Sequence, residues 1–124
     1  MALISEINLR DFASGVGTVI EYAAGNTVCR EEDEPRYMHI VLHGAVEIVA
    51  QNNLLETFGE GKAFGILSLL DGLPRTVTAR IGAPARVVVI DRKKFRYMIE
   101  EMPQFCWYVT GELAHRLRAT NAAL

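Results

Sequence analysis

A mainly β fold is predicted for this 124-residue sequence: a jelly-roll barrel of the double-stranded β-helix kind, with a short helix in front and two helices behind. Two patterns carry that prediction. From Thr18 to Ile90, short apolar runs alternate with turn residues, as in an all-β unit. After Asp91 the apolar spacing lengthens to about 3.6 residues, the period of a helix. Nothing repeats and nothing is low-complexity, so a single domain is expected over 1–124, with the roll at about 18–90 and the closing helices at about 91–119.

The elements follow in order. Residues 5–13 suit a short amphipathic helix with Ser5 as N-cap and Ile7, Leu9 and Phe12 apolar, broken by Gly15 and Gly17. Val19–Tyr22 is a strand, Ala24-Gly25-Asn26 a turn, and Val28 continues the sheet. The acidic run Glu31–Glu34, closed by Pro35, reads as a solvated loop. Met38–Leu42 and Ala45–Val49 flank Gly44 as the two strands of a hairpin. Gln51-Asn52-Asn53 turns the chain into Leu54–Phe58. Arg86–Ile90 alternates poorly, as a strand buried on both faces does. About eight strands are expected in all. Asp91 caps a helix with Phe95, Met98 and Ile99 on its apolar face. Pro103 interrupts, and Gln104–Ala119 resumes with Phe105, Val109, Leu113 and Leu117 in one stripe.

Composition narrows the function. Half of the residues are hydrophobic and 23% are charged, which marks a folded chain. The net charge of −2 argues against nonspecific nucleic-acid binding, which needs an excess of Lys and Arg. No run approaches the ~20 apolar residues that cross a bilayer, and the start lacks the features of a signal peptide. Cys29 and Cys106 stand far apart, in no metal-type spacing, and read as reduced thiols. A cytoplasmic protein, with no nucleic-acid or membrane partner, is the expectation.

Residues 61–79 carry the chemistry. Gly61 and Gly65 make glycine turns, a short helix follows, Gly72 turns again, and Arg75 enters a strand. Such a cassette offers an anion free backbone N–H groups, a helix N-terminus and a guanidinium fork. No Ser/His/Asp or Cys/His set with supporting context accompanies it, so no catalytic residue and no cofactor is expected.

The ordered set of motifs resembles the cyclic-nucleotide-binding domain, of a stand-alone bacterial type similar to catabolite-activator and protein kinase A regulatory-subunit modules. The matching pieces are Tyr22-Ala-Ala-Gly25, Tyr37-Met-His-Ile-Val-Leu-His-Gly44-Ala-Val-Glu-Ile-Val49, and the cassette residues Gly61, Phe64, Gly65, Pro74 and Arg75. Ile90-Asp-Arg-Lys-Lys-Phe95 and Leu113-Ala-His-Arg-Leu117 match the closing helices. The resemblance implies that Phe64, Gly65, Ile66, Leu67, Arg75 and Thr76 form a ligand site for cyclic AMP, cyclic GMP or another phosphate-type anion. Arg75 would take the phosphate, by a bidentate geometry lysine cannot copy. Thr78, Trp107 and Tyr108 are candidate base contacts.

The sequence departs from the family at two places. The glutamate that directly follows the Phe-Gly pair, and accepts from the ribose 2′-hydroxyl, is here Ile66. One such charge-assisted hydrogen bond contributes about 1.5–3 kcal/mol, so its loss weakens binding roughly ten- to a hundredfold. Asp71 and Glu60 are nearby carboxylates in sequence and are the candidate stand-ins. Lys62 occupies a position usually acidic, adding positive charge beside the cassette.

Two other readings stay open. His39, His43 and Glu47 are four apart and would share a face of an unbroken strand, which suggests a metal-dependent cupin-type enzyme. Against it stand the absent cupin spacing and Gly44, so core-edge or solvent-facing histidines are the simpler account. A ligand-free interaction module on the same scaffold is the other. The chain ends shortly after the last helix, so the output of a ligand-responsive switch is expected to reach a protein partner or a second copy.

Overall fold

A computed structural model describes the backbone of residues 6–120 and the side chains of residues 10–119. The expected cap Ser5, and the side chains of Ile7 and Leu9, lie outside the described residues. The elements in order are α1 (Glu6–Val16), β1 (Thr18–Tyr22), β2 (Thr27–Cys29), β3 (Tyr37–Ala50), β4 (Asn53–Phe58), β5 (Ala63–Phe64), α2 (Ile66–Asp71), β6 (Thr78–Asp91), α3 (Arg92–Glu101) and α4 (Pro103–Thr120).

The strands form a six-stranded antiparallel sheet with the path β1-β6-β3-β4, β2 joining β6 and β5 joining β3. Its spine is β3 against β6, each 14 residues long, paired from Tyr37↔Asp91 to Val49↔Thr78. Among the described residues, six strands replace the expected eight because β3 and β6 each run unbroken where shorter runs were anticipated.

The expected hairpin at Gly44 is absent. Gly44 lies inside β3 at φ +91°, and the register against β6 shifts on both of its sides, so it bends the strand as a bulge does. Only glycine fits: a Cβ there would stand 2.3 Å from the Pro84 carbonyl oxygen. The hairpin comes one element later, at Gln51 (φ 51°) and Asn52 (φ 67°), a two-residue turn that pairs Ala50 with Asn53. Helix α1 likewise runs through Gly15 and ends at Gly17, whose N–H donates to the Ala13 carbonyl at 2.7 Å. A side chain at Gly17 would strike Val88, so that glycine lets the helix lie against β6.

The spine divides two cores. On its helix side, Met38, Ile40, Val88 and Ile90 pack with Ile66 and Leu69 of α2, Phe95 and Met98 of α3, and Phe105 and Val109 of α4. Inside the roll, Val41, Val46, Ile48, Phe58, Phe64, Ile81 and Val87 pack together. Neighbours such as Val87 and Val88 serve opposite cores, which explains the poor alternation of that strand. Asp91 caps α3, its Oδ1 accepting from the Lys94 N–H at 2.8 Å. Pro103 is the first residue of α4, where its missing N–H is harmless, so it starts the second helix instead of merely separating two. The α4 stripe is buried at Phe105 and Val109, half-buried at Leu113 and exposed at Leu117.

Candidate ligand site

The cassette is built around one buried cation. Helix α2 lies between Gly65 (φ 82°) and Gly72 (φ 74°), both in the left-handed region. Arg75 is 4% exposed and donates from Nη1 to the Gly65 carbonyl at 2.8 Å and from Nη2 to the Tyr37 carbonyl. A Cβ on Gly65 would stand 2.7 Å from Arg75 Nη1, so the glycine serves the turn and the guanidinium together. Burial lowers the Arg75 pKa, opposed by the neighbouring Cys29 and Asp33. It remains a cation at any physiological pH.

The acidic run is not a free loop. Glu32 N–H donates to the Arg75 carbonyl at 2.8 Å, and Arg75 N–H donates to the Asp33 carbonyl at 3.0 Å. Glu31 N–H donates to Thr78 Oγ1 at 3.1 Å. Its side chains from Glu32 to Glu34 are exposed while its backbone fixes both ends of the arginine segment. Behind Arg75, His39 is 3% exposed and stacks on Phe64 at 4.8 Å. Burial first, and the Arg75 charge second, hold the His39 pKa down at about 3, so the ring is neutral. Its Nδ1 has no hydrogen-bond partner among the described residues.

A cavity of about 210 Å³ opens beside Arg75. Phe64, Gly65, Ile66, Leu67, Ser68, Arg75 and Thr76 make its cassette wall. Cys29, Ile48, Glu56 and Phe58 make the roll wall, and Arg116 of α4 closes a third side. The volume is below the ~300–1,000 Å³ of most drug-sized sites, which suits a compact ligand. The first-turn amides of α2 have no intrahelical acceptor and stand on this wall.

The structure thus gathers all six cassette residues expected from the sequence, with one qualification. Ile66 is 6% exposed and its side chain belongs to the helix-side core beside Leu69. The aliphatic residue at the glutamate position therefore anchors α2. The three candidate base contacts are placed elsewhere. Thr78 turns to the acidic loop, because β6 starts at Thr78 itself and Thr76 precedes it in a bend. Trp107 is 52% exposed and lies outside the cavity lining. Tyr108 stacks on Phe105 and its hydroxyl accepts from the Ala63 N–H at 3.2 Å. It braces the cassette from behind.

Both expected stand-in carboxylates already have partners. Glu60 pairs with His43 at 3.0 Å and Arg10 at 3.5 Å. Asp71 lines the cavity, but its Oδ1 accepts from the Leu73 N–H at 2.9 Å. Lys62 adds no open positive charge, since its Nζ lies 2.9 Å from Glu112 of α4. Sequence reasoning missed Glu56 and Arg116. Alternation in β4 puts Glu56 on the same inward face as Phe58, and Arg116 follows Tyr108 and Glu112 at helical spacing; those were the available signals.

The metal-site reading fails on geometry. His39 is buried on Phe64, His43 is exposed beside Glu60, and Glu47 pairs with Arg80 at 2.8 Å. Bulges around Gly44 break the common face that the four-residue spacing implied. Among the described residues, no three His, Cys, Asp or Glu side chains converge as a metal would require. Also among the described residues, no helix is long and apolar enough to cross a membrane.

A β-roll with an arginine-centred cassette and helices packed on one side sets the class of the domain. Residues 19–102 match the cyclic nucleotide-binding domain, and the chain belongs to that family. It is 33% identical over 107 residues to a CRP-like cAMP-activated global transcriptional regulator of Mycobacterium tuberculosis, covering 82% of this chain and 48% of the relative. It is 31% identical over 83 residues to a cAMP-dependent protein kinase regulatory subunit of Debaryomyces hansenii, covering 65% of this chain and 18% of that one. The chain thus spans about half the length of the first relative and less of the second. The fold superposes on the Thermus thermophilus catabolite activator protein with a TM-score of 0.85 at 24% identity, covering 95% of this chain and 56% of the other.

Proposed function

We propose that this domain binds a cyclic nucleotide and reports its presence through α4 to a protein partner or a second copy of the chain. The observation that carries the reading is Arg75: a buried guanidinium at the wall of a compact cavity, beside the unpaired first-turn amides of α2. Its two carbonyl contacts use one N–H of each terminal nitrogen, which leaves others for phosphate oxygens.

The ribose half of the site is altered. With Ile66 in the core, the carboxylate that would follow the Phe-Gly pair is missing and Asp71 already accepts from the Leu73 N–H, so 2′-deoxy analogues should bind nearly as well as their parents. Transmission follows from the docking of α4. Tyr108 holds Ala63, Glu112 holds Lys62, and Arg116 reaches the cavity, each one turn further along the helix. A ligand that binds better with α4 seated shifts the helix between seated and released states. This is a switch without catalysis, in a cytoplasmic setting.

Calorimetric titration with cyclic AMP and cyclic GMP, beside an Arg75→Ala variant checked for folding, tests the reading. Saturable one-site binding that the variant loses supports it. Absent binding, or binding that Arg75→Ala leaves unchanged, contradicts it. One observation favours a second reading: Arg75 already serves two backbone carbonyls. On that view it is a structural keystone of a ligand-free interaction module, and Arg75→Ala lowers stability with no nucleotide effect to measure.

A further inference from the structure

We propose that Glu56 selects the base, and that the ligand of this cavity carries guanine in preference to adenine. The inference rests on the reading of the cavity as a cyclic-nucleotide site. Ile48 of β3 stands opposite Glu56 of β4, and Val46 stands opposite Phe58. Paired residues of a ladder share a face. Val46, Ile48 and Phe58 are all buried inside the roll, so Glu56 projects from that inward face and lines the cavity.

Glu56 differs from the other carboxylates near the site. Asp71 accepts from Leu73, Glu112 holds Lys62 and Glu47 holds Arg80. Glu56 makes no hydrogen bond or ion pair among the described residues. It neighbours apolar Ile48 and Phe58 on the roll wall of the cavity. If phosphate occupies Arg75, the flat base lies along that apolar wall with an edge toward Glu56.

The chemistry of the two purines then decides. An ionised carboxylate is acceptor-only, with two oxygens. Guanine presents two adjacent donors to it, the ring imino N–H and the exocyclic amino group. Adenine presents one amino donor beside an unprotonated ring nitrogen, which sets lone pair against lone pair. Arg116 complements the arrangement from α4, since a guanidinium donates to the O6 and N7 acceptors that guanine carries together. With the sugar-reading carboxylate replaced by Ile66, discrimination moves from the ribose to the base.

The test titrates the full chain with cyclic GMP, cyclic IMP and cyclic AMP, in wild type and Glu56→Ala. Cyclic IMP keeps the imino N–H and lacks the amino group. The expected order is cyclic GMP tightest, cyclic IMP between, cyclic AMP weakest, with the first and last separated roughly ten- to a hundredfold. Glu56→Ala should shrink that ratio to the smaller preference that Arg116 alone supports; because Glu56 is exposed, the variant should fold, which a melting curve checks. Cyclic AMP binding as tightly as cyclic GMP, or a guanine preference that Glu56→Ala leaves undiminished, overturns the inference and leaves the cyclic-nucleotide reading standing. No binding of any of the three overturns that reading, and the inference with it.

Discussion

The two sides of the cavity hold their charges by opposite means. On the cassette side, Arg75 is buried, donates to two backbone carbonyls and is clamped at both ends by the acidic loop. On the other side, Glu56 and Arg116 are exposed, and among the described residues neither makes a hydrogen bond or ion pair. The first charge is part of the fold, and changing it disturbs the cassette. The others are surface residues that can change without cost to the core. On the proposed reading, anion recognition is tied to stability, while selectivity is left free to vary.

The largest expected break in that contrast is Arg75→Ala. Losing charge-assisted hydrogen bonds to Gly65 and Tyr37 should destabilise the domain by about 2–4 kcal/mol, read from denaturant unfolding. The paired Arg116→Ala should stay within about 0.5 kcal/mol of wild type. Equal melting of the two variants would erase the distinction.

Ile66→Glu comes next. A carboxylate placed in the helix-side core should cost about 2–3 kcal/mol, measured the same way, so restoring the family residue damages the fold that presents it. An unchanged midpoint would mean that α2 can turn this side chain out to the cavity.

His39 sharpens the comparison through pH. Its folded pKa of about 3 lies below the ordinary 6.5, so the unfolded chain binds the extra proton first. The stabilisation is complete above about 6.5 and drains away as pH falls toward 3, at no more than about 1.4 kcal/mol per unit. His39→Phe, which keeps a ring on Phe64, should flatten the stability profile between pH 6.5 and 4.5. A profile as steep as wild type assigns the acid sensitivity to other groups.

Glu112→Gln is the smallest change. The Lys62 pair is part-exposed, so its loss should cost less than about 1 kcal/mol. Amide exchange should nevertheless quicken in α4 beyond Tyr108 while β3 and β6 keep their protection. Uniform exchange across both would deny α4 a separate release step.

What the sequence revealed depended on how local the cause was. The spacing from Phe64 to Arg75 placed the cassette correctly because two glycine turns and a short helix leave little freedom between them. The cap at Asp91 and the double-faced strand before it were legible for the same reason. Gly44 misled because a positive φ serves a turn or a bulge equally, and only pairing with β6 decides. The cavity's other walls escaped notice because Glu56 and Arg116, 60 positions apart, meet only after β4 and α4 converge on the cassette. Trp107 and Tyr108 suggested base stacking by residue type, yet the rotation of α4 sets one outside and the other behind the cassette.

On the proposed reading, a cyclic nucleotide sits with its phosphate on Arg75 and the first turn of α2. Amide chemical shifts during titration with cyclic GMP test it most directly, because they report position as well as affinity. Saturable shifts are expected, largest at Gly65, Ile66, Leu67, Ser68, Arg75 and Thr76, with smaller ones along α4 near Arg116. Shifts that never saturate, or that saturate elsewhere while the cassette stays silent, would contradict it.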